Sequence, residues 1–225
     1  MHHRIHAATS FSVLIALGLS LPAQKAAPSP TSPRTVQPDR ARDAEFAARS
    51  APWQQFLQQA GGEWISQWCA ATGTPAAIYG SGLPLADWRE NSLAEARRHA
   101  EQLLVAQRDL LGLGASEIRE IIGSRMGRTW TFVYDQFFRG LPVIGGRADV
   151  RVHMTGRIAM FGSSAWPIPA DFVTVPRLDE LVATQIAWQA LGAVAPEVAQ
   201  PGAPRANRLV IWGDVDAGQQ APFFL

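Results

Sequence analysis

The spacing of apolar positions changes along the chain, and each change marks an element. Between Leu93 and Leu111, Leu93, Ala96, Ala100, Leu103 and Leu110 recur at helical spacing, while Arg97, Arg98, Glu101 and Arg108 fall on the opposite side. That pattern predicts an amphipathic helix. Ser92 followed by Glu95 has the spacing of a capping box, and Gly112 ends the helix. From Thr129 to Phe138 the period falls to two. Trp130, Phe132, Tyr134, Gln136 and Phe138 share one side, and Thr131, Val133, Asp135 and Phe137 the other. Both sides are largely apolar, which suits a central strand. Ala148, Val150 and Val152 alternate with Arg147, Asp149, Arg151 and His153, a strand wet on one face. Thr155-Gly156 is a turn signal, with Ile158 to Phe161 returning as the hairpin partner.

Upstream, Trp53, Phe56, Trp64, Trp68, Ile78 and Tyr79 are interrupted by Gly61-Gly62 and by Thr72 to Pro75. The composition predicts strand, turn, strand. Downstream of the Pro-bearing stretch Trp166 to Pro176, a second helix is predicted over about 178–191, with an apolar face that includes Leu181, Ile186 and Trp188. A strand over 208–212 leads into the turn-rich Gly213 to Gln219, and Phe223-Phe224-Leu225 reads as a strand just beginning. An apolar run at that point leads to the expectation that the sequence is a piece of a longer one. The fold class is therefore α+β. A helix packs on an antiparallel β-sheet, followed by a second, incomplete helix-plus-hairpin unit.

The first 23 residues have the form of a secretory signal: Arg4 among three histidines, an apolar run from Phe11 to Leu21, and Ala23 before Gln24. The run is short of the roughly 20 apolar residues a spanning helix needs, so a signal peptide is preferred to an uncleaved anchor. The expected location is secreted or periplasmic, with no stable membrane span. Residues 24–50 hold Pro28, Pro30, Pro33 and Pro38 and few large apolar side chains. Such a segment buries too little to offset its ordering entropy and is expected to be a flexible linker.

The remaining composition mainly excludes. The 225 residues are 47% hydrophobic, enough for a sizeable core. Removing Arg4 with the signal leaves 19 basic side chains against 19 acidic ones, a balance that argues against nucleic acid as a partner. Cys69 is the sole cysteine, so no intrachain disulfide and no Cys-based zinc site can form; it is expected to be a buried small hydrophobe. A zincin site needs His-Glu-x-x-His, yet beyond the signal the histidines are His99 and His153 alone. His99 is expected on a solvated helix face and His153 on an exposed strand. Asp214 to Gly218 lacks the glutamate of a calcium loop, Gly112-Leu113-Gly114 lacks the third glycine of a dinucleotide loop, and Ser81 lacks nucleophile-elbow spacing. No catalytic constellation is found, and the chain is expected not to be an enzyme itself. Trp130 and Trp188 are expected in the core, and Trp53 and Trp166 as candidates for partner contact.

Two stretches carry a family resemblance. The first is Ala71-Thr72-Gly73-Thr74-Pro75 with Ile78-Tyr79-Gly80, and then Asp109 to Leu113 after the helix. The second and more specific is Gln136-Phe137-Phe138-Arg139-Gly140-Leu141-Pro142-Val143-Ile144-Gly145-Gly146. Together they resemble the fungalysin/thermolysin propeptide (FTP) domain, with Phe138 in place of the usual tyrosine and Ile144 in place of an aromatic. The resemblance implies an FTP-like domain over 51–170 and a partial PepSY-like unit over 171–225, probed by the strand Leu209 to Trp212. It further implies a non-catalytic pro-region that acts as intramolecular chaperone and inhibitor of a downstream secreted zinc metallopeptidase domain absent from this chain. No cofactor is expected here, zinc belonging to the absent domain. The implied partner is the cognate metallopeptidase domain, in cis or in trans. The other reading is a stand-alone secreted inhibitory module acting in trans. Gln136, Phe138, Gly140, Pro142, Val143 and Gly145 are the candidate partner-contact residues. Apart from the family, Arg139-Gly140 permits a tight reversal, Pro142 fixes the returning backbone, and Gly145-Gly146 can supply a bulge or a close backbone approach.

Overall fold

A computed structural model of the chain describes residues 39–194, 208–213 and 223–224. The predicted signal peptide, most of the predicted linker and the turn-rich stretch after Gly213 lie outside them. Six strands form one antiparallel path: Trp64–Trp68 (β1), Pro75–Pro84 (β2), Glu117–Met126 (β3), Thr129–Phe138 (β4), Leu141–His153 (β5) and Arg157–Ser163 (β6). Their spatial order is β1-β2-β6-β5-β4-β3, so β4 lies inside the sheet, as its two apolar sides predict. The α+β class holds, with helices packed on an antiparallel sheet.

The period-two pattern sorts the strands into a helix-covered face and an open one. Phe132, Val150, Phe161 and Ile78 stand in register across β4, β5, β6 and β2, and all are fully buried. Leu93–Ala106 (α3) lays Ala96, Ala100, Leu103 and Leu104 over them. On the open face, Arg119 pairs across strands with Asp135, which receives a hydrogen bond from Arg147 Nε at 3.0 Å. Arg119 also places its guanidinium 4.0 Å from the Phe137 ring centre. Asp149 shares this face, and its burial among neighbouring side chains raises its pKa.

The N-terminal part departs from the sequence expectation. Instead of a linker reaching Ser50, Arg40–Arg49 forms a helix (α1), and Trp53 and Phe56 sit in a second helix, Ala51–Ala60 (α2), not in a strand. Capping explains both helices. Asp39 accepts from Arg42 N–H, while Ser50 ends α1 and accepts from Trp53 N–H at the start of α2. Trp53, Phe56 and Leu57 have i, i+3, i+4 spacing, so aromatic content outweighed helical period in the sequence reading. Phe56 packs edge-on against Trp64 and Phe161, and Phe46 stacks on Trp68. Asp43, buried, accepts from Trp68 N–H at 3.0 Å and ties α1 to β1. A hydrogen bond to a charged group is worth about 1.5–3 kcal/mol. Asp43→Ala is therefore expected to lower unfolding free energy by about 2 kcal/mol in urea titration; an unchanged midpoint would mean that α1 contributes nothing to the body.

In α3 the cap forms as predicted, Ser92 Oγ accepting from Glu95 N–H at 3.2 Å. The Glu95 carboxylate does not complete a capping box. It takes Arg98 at 2.7 Å and Arg89 N–H at 3.2 Å. The helix ends at Ala106, and turns carry the chain on to Gly112. His99 is not solvated but 6% exposed. It lies 2.8 Å from Arg98 Nη2, 3.4 Å from Glu95 Oε1, and against the Trp88 ring. The Arg98 hydrogen bond lowers the Glu95 carboxyl from 4.5 to about 2. A carboxyl so depressed contributes stability that is present above pH 4.5 and is lost as pH falls towards 2. Glu95→Gln is expected to flatten the acid limb of a plot of Tm against pH over that window. An acid limb as steep as the parent's would remove Glu95 as its source.

After β6 the chain runs irregularly to Glu180–Val194 (α4), close to the predicted second helix. The apolar side predicted for it is not core at Leu181, Ile186 and Trp188, which are all exposed. The sheet's helix-covered face is already filled by α2 and α3, so Trp188 finds no place there. Cys69 is half-buried rather than buried, and His153 is half-buried, its Nδ1 2.7 Å from Thr155 Oγ1. No helix among the described residues is long and apolar enough to cross a membrane.

Candidate functional site: the Gln136 to Gly146 corner

Residues 136–146 form one corner of the sheet. Phe138 pairs with Leu141 across a two-residue turn in which Arg139 and Gly140 have φ of 48° and 80°. Two consecutive positive φ values define a type I′ reversal, whose twist matches that of the flanking strands. Glycine reaches this region freely, but an arginine does so at a cost. Arg139 is held by a hydrogen bond to Ala170 O at 2.9 Å and by its place over the Phe138 ring.

Pairing then breaks. Asp135 faces Arg147 and Phe137 faces Pro142, so Gln136 alone stands opposite the four residues 143–146. The displaced segment of β5 turns its edge outward and pairs in parallel with Ile211–Gly213 (β7), Val143 opposite Ile211 and Ile144 opposite Trp212. Phe223–Phe224 (β8) adds antiparallel to β7. The strand forecast for 208–212 is thus found slightly later, and the glycine pair supplies both the bulge and the close approach.

Gln136 holds the corner from inside. It is 1% exposed, on the core side of β4 where the alternation places it. Its Nε2 donates to Ser116 Oγ at 2.8 Å and to Trp166 O at 2.7 Å, and its Oε1 accepts from Trp166 N–H at 2.9 Å. The amide thus spends both donors and an acceptor on buried partners, one of them the main chain beyond β6. A Cβ on Gly146 would come 2.2 Å from Gln136 Oε1, so no other residue fits opposite the amide. A Cβ on Gly213 would meet the Trp166 ring at 2.2 Å. Gln136 therefore fixes the Trp166 backbone, and Trp166 packs closely against β7.

A small second core fills the corner: Phe138, Val143, Trp166, Ile168 and Ile211, with Leu141, Ala71 and Phe172 packed around them. It is separate from the main helix-covered core. Of the six candidate contact residues, Gln136, Phe138 and Val143 are inside, Pro142 is half-buried, and Gly140 and Gly145 are exposed. The structure brings the six together, but the first three build the corner and do not present themselves to a partner. Trp53 and Trp166, expected as contact tryptophans, are 4% and 6% exposed and belong to the cores. Among the described residues, the large apolar side chains that do face outward here are Ile144 and Trp212, register partners at 42% and 60% exposure. Sequence reasoning missed them. Trp212 was placed in a strand, but its outward face depends on a pairing with residue 144 that no local pattern announces.

Among the described residues no group of three or more His, Cys, Asp or Glu side chains stands together as a metal site. Compared with known proteins, the chain matches no family model and no curated protein.

Proposed function

We propose that the chain is a pro-region: a non-catalytic module that assists the folding of a secreted zinc metallopeptidase domain and holds it inactive. The supporting observation is the Gln136 to Gly146 corner. The residues that carry the resemblance to FTP domains are the ones that build a self-contained joint, seat a strand of the following unit and leave Ile144 and Trp212 exposed side by side. An exposed aromatic next to a branched aliphatic on a fixed backbone is suited to protein contact. Such a module acts by binding the folded or nearly folded peptidase better than the unfolded one, which shifts the equilibrium by mass action. Tethering raises its effective concentration, and cutting the tether removes that advantage. Residues 24–225, added at micromolar concentration, are expected to slow peptide hydrolysis by a thermolysin-type peptidase. Hydrolysis at an undiminished rate would remove the inhibitor role.

A further inference from the structure

We infer that the Arg177–Leu178 peptide bond is the preferred site of limited cleavage by a trypsin-type endopeptidase, one whose primary pocket carries an acidic group. Between Phe172, which packs on Phe138 in the corner core, and α4, residues 173–179 form neither helix nor strand. Thr174 is half-buried, and the other six are exposed, with Val173, Val175 and Leu178 each more than half accessible. An endopeptidase binds several residues on either side of the cut in extended form, so exposed irregular backbone is where cleavage concentrates. Pro176 fixes φ near the extended range on the near side of Arg177.

On the far side the cut lies close to α4. Asp179 accepts from Val182 N–H at 2.9 Å, and its carbonyl from Ala183 N–H at 3.0 Å. The first turn of α4 must therefore fray for the bond to enter an active site. Fraying is cheap here, because no described side chain of α4 is buried and little packing is lost. Other arginines are better protected. Arg40, Arg42 and Arg49 are in α1, Arg97 and Arg98 in α3, and Arg119, Arg125, Arg147, Arg151 and Arg157 in strands. Arg89 and Arg128 are exposed outside such elements, but their backbone is held. Arg89 N–H donates to Glu95 at 3.2 Å and the neighbouring Asp87 O accepts from Arg98, while Arg128 O, in the tight turn between β3 and β4, accepts from Met154 N–H at 3.0 Å. Arg139 is tied to Ala170 O, and Arg108 donates to Gly114 O and Ser116 O.

Hydrolysis adds one water across the bond, leaving a carboxylate on Arg177 and an amine on Leu178. It converts the seating of β7 on β5 from an intramolecular contact into one between two fragments, which weakens it by loss of effective concentration. The site depends only on exposure and irregular backbone, so it stands or falls apart from the proposed inhibitory role.

The test is a time course of the full chain with sparing trypsin, read by intact mass. The earliest cut within residues 39–194 is expected after Arg177, about tenfold or more faster than at any other arginine there, since cleavage follows the population of the open form. Arg177→Gln should abolish that product, and Arg177→Lys should restore it. An earlier cut at another arginine within 39–194, or an Arg177→Gln digest identical to the parent's, would overturn the inference.

Discussion

Replacing Gln136 with leucine is expected to cost about 3 kcal/mol of stability, because it removes three buried hydrogen bonds at about 1 kcal/mol each. Leucine fills a similar volume, so packing is not the main loss. Trp166 N–H loses its amide acceptor and Ser116 Oγ its donor, while Trp166 O loses one of two, since Ile168 N–H still reaches it at 2.9 Å. Ser116 is 1% exposed, so water cannot readily take the place of the amide. In a body of this size each kcal/mol moves Tm by about 2–4 °C, which puts the drop near 10 °C. Ser116→Ala removes only one of the three bonds and is expected to cost about 1 kcal/mol. Calorimetry of both variants tests the ranking. A Gln136→Leu protein as stable as the parent would show that the amide does not hold the corner.

Gly213→Ala is expected to unseat β7 while the main core stays folded. The added methyl would lie 2.2 Å from a Trp166 ring that is pinned through its own backbone by Gln136, so neither side can give way. With β7 displaced, Ile211, fully buried in the corner, comes into water, a loss of about 2–4 kcal/mol on the scale of large-to-small core changes. The measurement is hydrogen exchange in the peptide spanning 141–146, which should exchange faster, while peptides of α3 and the middle of β4 keep their protection. Trp212→Ala, on the exposed side of the same strand, is expected to change stability by about 0.5 kcal/mol or less. Equal exchange in Gly213→Ala and parent would mean that β7 does not depend on this contact.

The strands and α3 were legible because their signals are local. Period-two runs in 129–138 and 148–152 and the Ser92 cap each specify structure within one element, and the sheet preserved them. What failed depended on distant partners. Residues 40–49 read as linker because their apolar content is low, yet Asp43 is fixed by a backbone amide 25 residues away. His99 was given to solvent by its helical neighbours, but Trp88, in the loop before α3, covers it. Trp188 sits on an apolar helix side that the fold does not cover among the described residues. The corner itself was half legible: glycine and proline positions announced a reversal and a bulge, and both are present. That Gln136 faces inward follows from the alternation of β4, but its bonds to Trp166 cross 30 residues and leave no mark on local sequence. Hence the six motif residues read as a surface, when half of them are the support for one.

The most direct measurement of the proposed role is refolding. A thermolysin-type peptidase domain, denatured and diluted into buffer, should recover more activity with residues 24–225 present and later removed by proteolysis than without them. Gly213→Ala, with β7 unseated, should give less of that gain. Equal recovery with and without the chain would contradict the account.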